Sequence, residues 1–133
     1  MAGSDAMADS ESWRADLCKA LMHERRIMGE ALGFELVENA NFDILIELYL
    51  ARMERRQVFV WSLCAAANAP YSTAYRKITQ LVAAGLILRH DDTNDRRRVE
   101  VELTSRGVIV LDNLIRKLAG TRGSPMRLPG GTN

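Results

Sequence analysis

The stretch from Leu63 to Leu103 constrains the fold more than any other part of the chain. A short helical run, Leu63–Ala67, ends in Asn68, which tolerates the left-handed backbone that stops a helix, and Pro70 follows two residues later. A second helix is predicted from about Tyr71 to Ala84. Its apolar residues Ala74, Ile78, Leu81 and Val82 follow i, i+4, i+7, i+8 spacing, and Gly85 stops it. Then "LILRH" reads as a strand, and "RRVEVELT" as a second one, with Val99, Val101 and Leu103 on one side and Arg98, Glu100 and Glu102 on the other. "DDTN" between them is a turn, because Asp, Asn and Thr side chains bond back to their own backbone. A helix–turn–helix followed directly by a β-hairpin is a winged helix, so the predicted fold class is mainly α with a small β-hairpin.

The flanks supply the remaining helices. From Ser12 to Leu32, Trp13, Leu17, Leu21, Met28 and Leu32 recur at helical spacing, and Gly33 ends the run. So long a stripe must lie on a core partner or on the same helix of a second subunit. Residues 42–55 predict a second helix, apolar on more than one side and therefore central, N-capped by Asn39 or Asn41. Val58–Val60 is β-like. Thr104 N-caps a last helix over about 105–119 that Gly120 stops. The expected organisation is a disordered N-terminus over 1–11, a winged-helix DNA-binding and dimerisation domain over 12–119, and a flexible Gly/Pro-rich tail over 120–133.

A chain of 133 residues, 47% apolar and 26% charged, can bury a core without disulfides or metals. No apolar run approaches the roughly 18–20 residues of a membrane helix. "MAGSDAMADSES" lacks the basic and apolar regions of a signal peptide, so the expected location is the cytoplasm, on the nucleoid. Cys18 and Cys64 fit buried free thiols in a reducing compartment. His23 and His90 have no ligand-spaced neighbours, so no metal or other cofactor is expected. Glycine-rich phosphate loops, G-x-S-x-G, H-E-x-x-H and paired-cysteine motifs are missing, and no enzymatic activity is expected. Trp13 and Trp61 are expected to be core or interface anchors, and Tyr71 to pack.

Charge is the clue to the partner. The net charge is +1, but residues 1–40 carry four basic and eight acidic groups, whereas residues 70–106 carry seven basic and five acidic. The second half is where a polyanion would bind. The predicted second helix shows Ser72, Tyr75, Arg76, Thr79 and Gln80 on its non-core side, and a helix fits the major groove of DNA, about 12 Å wide. Arg96, Arg97 and Arg98 lie at the hairpin tip, where a cation reaches the adjacent minor groove and the phosphates, and Asp95 is placed to orient an arginine. An arginine triplet alone also suits a solvated tip; its place after a helix–turn–helix turns the reading towards DNA.

"STAYRKITQLVAAGLILRHDDTNDRRRVEVELTSRG" resembles the winged-helix core of the MarR (multiple antibiotic resistance regulator) family. The matching residues are Thr73, Arg76, Leu81, Gly85, Leu86, Ile87, Asp95, Arg97, Leu103, Thr104 and Gly107, and the resemblance covers about residues 40–118. It implies a homodimeric transcription regulator of palindromic double-stranded DNA, often released by a small-molecule effector. It places Ser72, Thr73, Tyr75, Arg76 and Lys77 on the recognition helix, and makes Arg97 the wing-tip contact oriented by Asp95. Phosphate contacts would come from Arg76, Lys77 and the wing, and base readout from Ser72, Thr73, Tyr75 and Gln80. The chain departs from the family pattern at Asn68, where a turn glycine is usual, at Pro70, where a capping Ser is common, and in having one C-terminal helix rather than two. Dimerisation would then rest on the first and last helices. The alternative is a winged-helix protein-interaction module that docks through its long first helix without reading DNA.

Overall fold

The computed structural model describes residues 2–92, 94, 95 and 98–122, with residues 2–11 described by their backbone alone. Helix α1 spans Ala2–Leu32, α2 Phe34–Val37 and α3 Ala40–Glu54. Strand β1 (Val58–Phe59) leads directly into α4 (Val60–Ala66). Helix α5 (Tyr71–Ala83), strands β2 (Ile87–Asp91) and β3 (Val99–Leu103) and helix α6 (Ser105–Arg122) follow. The strands form one antiparallel sheet in the order β1-β3-β2. Ile87 pairs with Leu103 and Asp91 with Val99, while Val58 pairs with Val101 on the other side of β3. The architecture is a winged helix whose expected hairpin is widened by β1 into a three-stranded sheet.

Local chemistry sets most boundaries. Asn39 caps α3, its Oδ1 accepting from the Phe42 amide at 3.2 Å. Arg55 ends the same helix in the left-handed region at φ 58°, with the Arg56 amide returning to the Ala51 carbonyl at 2.9 Å. Thr104 caps α6, accepting from the Gly107 amide at 2.9 Å. Two helices outrun their expected ends. The α1 backbone is helical from Ala2, inside the stretch 1–11 expected to lack order; the small and acidic residues there suit a helix start. Helix α6 passes Gly120 and ends at Arg122. The rest of the expected tail, 123–133, lies outside the described residues.

The core centres on α3, which packs against α1, α4, α5, α6 and β3. Ile44, Ile46, Leu48 and Leu50 are all buried, which requires neighbours on several sides of the helix. Burying each such side chain contributes about 1.5–3 kcal/mol. The stripe of α1 divides: Leu17, Cys18 and Leu21 enter the core, whereas Ile27, Met28 and Leu32 stay exposed towards its C-terminal end.

Polar ties fix α1 and α6 to this core. Arg14 donates from Nη1 to Asp112 at 2.8 Å and to the Tyr49 hydroxyl at 3.1 Å, and Tyr49 donates to Asp112 at 2.5 Å. Arg122 holds Glu24 through two bonds of 2.6 and 2.8 Å. Arg25 pairs with the buried Asp43. Burial, with the bond to Asp112, pushes the Tyr49 hydroxyl from the ordinary 10 up to about 12. The unfolded chain therefore ionises this group first, and the fold loses stability as pH rises through 10 towards 12 while losing nothing below 10 from this source. Urea midpoints measured across that window should fall, and Tyr49→Phe should flatten the fall; an equal fall in the variant would assign it to other groups.

Candidate nucleic-acid interface

The turn between α4 and α5 is built by Asn68 in the left-handed region at φ 55° and by Pro70 preceding the first turn of α5. Ala67 and Ala74 are fully buried, and their small side chains let the two helices approach closely. Helix α5 buries Ala74, Ile78 and Leu81. Its exposed residues include Tyr71, Ser72, Tyr75, Arg76, Thr79 and Gln80, while Thr73 and Lys77 lie half-buried on its flanks. Gly85, at φ 78°, reverses the chain after α5: its amide returns to the Val82 carbonyl at 3.0 Å and that of Leu86 to the Leu81 carbonyl at 3.1 Å. The chain then enters the wing.

Thr104 closes the wing at its root. Its hydroxyl donates to the Gly85 carbonyl at 2.7 Å while accepting from the Gly107 amide. At the other end, Asp92 accepts from the Asn94 amide at 2.8 Å, the self-bonding turn chemistry that "DDTN" predicts. The Arg98 amide donates to the Asp95 carbonyl at 3.0 Å. The Arg98 guanidinium lies 5.4 Å from the Phe59 ring centre. Arg96 and Arg97 lie outside the described residues.

Wing and helix are joined through Arg89, which the sequence reading left out, and Tyr75, which it named. Arg89 on β2 donates to the Tyr75 hydroxyl at 3.3 Å, with its guanidinium 5.7 Å from the Tyr75 ring centre. That bond and the nearby Asp91 raise the Arg89 guanidinium above the usual arginine value, so it stays charged. Tyr75 in turn stacks on Tyr71, ring centres 6.1 Å apart. Val60, Trp61, Tyr71, Tyr75, Arg89, Arg98 and Val99 surround one concavity of about 610 Å³ between α4, α5 and the wing. One expectation is corrected here: Tyr71 does not pack inside, being 61% exposed. Trp61, expected as a core or interface anchor, is 64% exposed, which rules out the core. Val60, Leu63 and Cys64 take the buried side of the seven-residue α4, which leaves Trp61 outside. Tyr71 lies three and seven positions before Ala74 and Ile78 and so reads as part of the buried stripe, but its place in the first turn of α5 leaves it exposed; Arg89 shares with Ile87 the β2 face turned to the helices.

Other chemistry is sparse among the described residues. No group of three His, Cys, Asp or Glu side chains is placed to hold a metal ion. No helix is long and apolar enough to cross a membrane. Cys18 and Cys64 are buried free thiols, and burial pushes Cys18 up to about 12.

These elements define a winged helix–turn–helix with its second helix and its wing open on one concave face. No family model matches the chain, and no curated protein does. Solved structures do share its fold. S. aureus MepR in complex with DNA superposes at a TM-score of 0.57, with 17% identity over 86% of this chain and 91% of that one. A MarR-family transcriptional regulator from Silicibacter pomeroyi matches at 0.50, with 23% identity over 86% and 78%. Lactococcus lactis ZitR matches at 0.55 and 18% identity over 69% of this chain, which spans only 60% of ZitR's length. The fold is that of MarR-family transcriptional regulators.

Proposed function

We propose that this protein is a homodimeric transcription regulator that binds double-stranded DNA in a sequence-specific way, with α5 in the major groove and the arginine wing in the adjacent minor groove. The observation that carries the reading is that the polar side of α5 and the wing flank one concavity and are bonded together through Arg89 and Tyr75. That arrangement matches what a duplex demands, since the two grooves must be met from one side at a fixed separation. The solved MepR–DNA complex, whose fold is shared, supports the same reading. Ser72, Thr73, Tyr75 and Gln80 would read bases; Arg76, Lys77, Arg96 and Arg98 would meet phosphates. Arg97, oriented by Asp95, would enter the minor groove.

The dimer rests on apolar surface at the ends of the chain's outer helices. Ile27, Met28 and Leu32 on α1, Phe34 and Leu36 beside them, and Ile109 and Val110 on α6 are exposed. Exposed apolar side chains on both outer helices are what a subunit contact would cover. An effector would have a seat in the open groove of about 360 Å³ where Phe34 faces Asn68, Ala69 and Pro70, between the proposed dimer surface and the helix–turn–helix.

Fluorescence anisotropy with a duplex selected from a random pool tests the reading. Raising salt from 50 to 200 mM should weaken binding by about 10³-fold or more if six or more phosphates are neutralised. Arg76→Ala should weaken all sequences alike and lower the salt slope by roughly one. Arg97→Ala should cost about 1–3 kcal/mol. Absence of duplex binding, with a dimer or a protein complex still formed, would instead identify an interaction module.

A further inference from the structure

The concavity between α5 and the wing is lined by aromatic rings and guanidinium groups together. Trp61, Tyr71 and Tyr75 present aromatic surface, and Arg89 and Arg98 bring positive charge. Aromatic faces beside guanidinium groups fit a ligand with both apolar rings and anionic oxygens. Geometry selects which. If one element occupies the major groove and its neighbour the adjacent minor groove, a single sugar–phosphate strand must cross the protein between them. Here the surface between them is this concavity.

We infer that the concavity seats that strand: Arg89 and Arg98 bind its phosphates, and Trp61 with Tyr71 packs against its deoxyribose faces. The inference rests on the duplex-binding reading and adds Arg89, Trp61 and Tyr71 to the contact surface. Arg89 is well suited to the task. Its bond to the Tyr75 hydroxyl and its ion pair with Asp91 at 3.6 Å fix the guanidinium, and of its five donors others are left for a phosphate. Arg98 is steadied on the Phe59 ring next to β1. Because a sugar–phosphate strand is the same for every base pair, these contacts raise affinity and fix register without choosing sequence.

The test is a chemical double-mutant cycle. A duplex recovered by selection is made with single methylphosphonate linkages, which remove one charge each, walked across the site. On the wild-type protein, a linkage crossing the concavity should weaken binding about tenfold. Arg89→Gln should weaken binding to the unmodified duplex by a similar factor, lower the salt slope by about 0.9, and make the protein indifferent to that same linkage. In a Trp13→Phe background, where Trp61 is the only tryptophan, duplex addition should quench the fluorescence. Penalties that simply multiply at every linkage would overturn the strand seat while leaving duplex binding intact. Preferential binding of the isolated single strand would also overturn it, pointing to stacked bases instead. A wild-type protein that binds no duplex would remove the function beneath it.

Discussion

Asp43→Ala is expected to cost about 3 kcal/mol of folding stability, because it strands a guanidinium whose side chain is only 16% exposed. Asp43 is only 6% exposed, at the start of α3, and its carboxylate receives Nε and Nη2 of Arg25 from α1. Arg25 also donates to the Val37 carbonyl at 2.9 Å, so one side chain ties α1 to α3 and to the end of α2. Removing the carboxylate leaves the arginine, among the described residues, with only the Val37 carbonyl and the Phe42 ring beside its charge. Replacing both partners, Arg25→Met with Asp43→Leu, should recover most of the loss, because a well-packed apolar pair avoids desolvating two charges. Urea denaturation would read the effect as a lower midpoint at constant slope. A loss under about 1 kcal/mol would mean that water screens the pair as it does surface ion pairs.

Gly107→Ala should cost about 2–3 kcal/mol, unusual for the addition of one methyl group near a helix start. A β-carbon at Gly107 would lie 2.2 Å from the Leu86 carbonyl oxygen and 3.3 Å from a Leu103 methyl. The first clash is with backbone, which cannot rotate away. That same carbonyl accepts from the Thr104 amide at 3.0 Å, so relieving the clash breaks the closure of the wing. Alanine normally stabilises a helix relative to glycine by about 1 kcal/mol, and the contact outweighs this. Thermal unfolding should show the midpoint falling by several degrees. A rise would mean that α6 can shift away from the wing at little cost. Gly120→Ala, where a β-carbon meets nothing within 4 Å, serves as the control and should stabilise.

The parts of this fold that a reader of the sequence could find are those set by neighbouring residues. Asn68 and Pro70 announce their turn, Gly85 the end of α5, Asn39 and Thr104 the starts of α3 and α6, because each acts through bonds within a few positions. The alternation in β3 likewise located Val101 and Leu103 inside. What escaped depends on distant packing. Nothing local pairs Arg25 with Asp43, eighteen positions away on another helix, and the four-residue α2 is too short to leave a periodic signal. At the candidate site, Ser72, Tyr75, Arg76 and Gln80 are exposed on α5, as its spacing implied. Arg89 and Trp61 were missed because their placement beside Tyr75 needs β2 and α4 folded against α5. The arginine-rich tip can be compared only at Arg98, since Arg96 and Arg97 lie outside the described residues.

The two hydrogen bonds at the Thr104 hydroxyl, one donated and one accepted, have a mechanical consequence. A swinging ribbon needs slack where both of its legs leave the body. One hydroxyl pins the leg that leaves α5 to the leg that enters α6, acting as a rivet through both. The ribbon is thereby held at its root, and any torque applied along it is delivered to the two helices together.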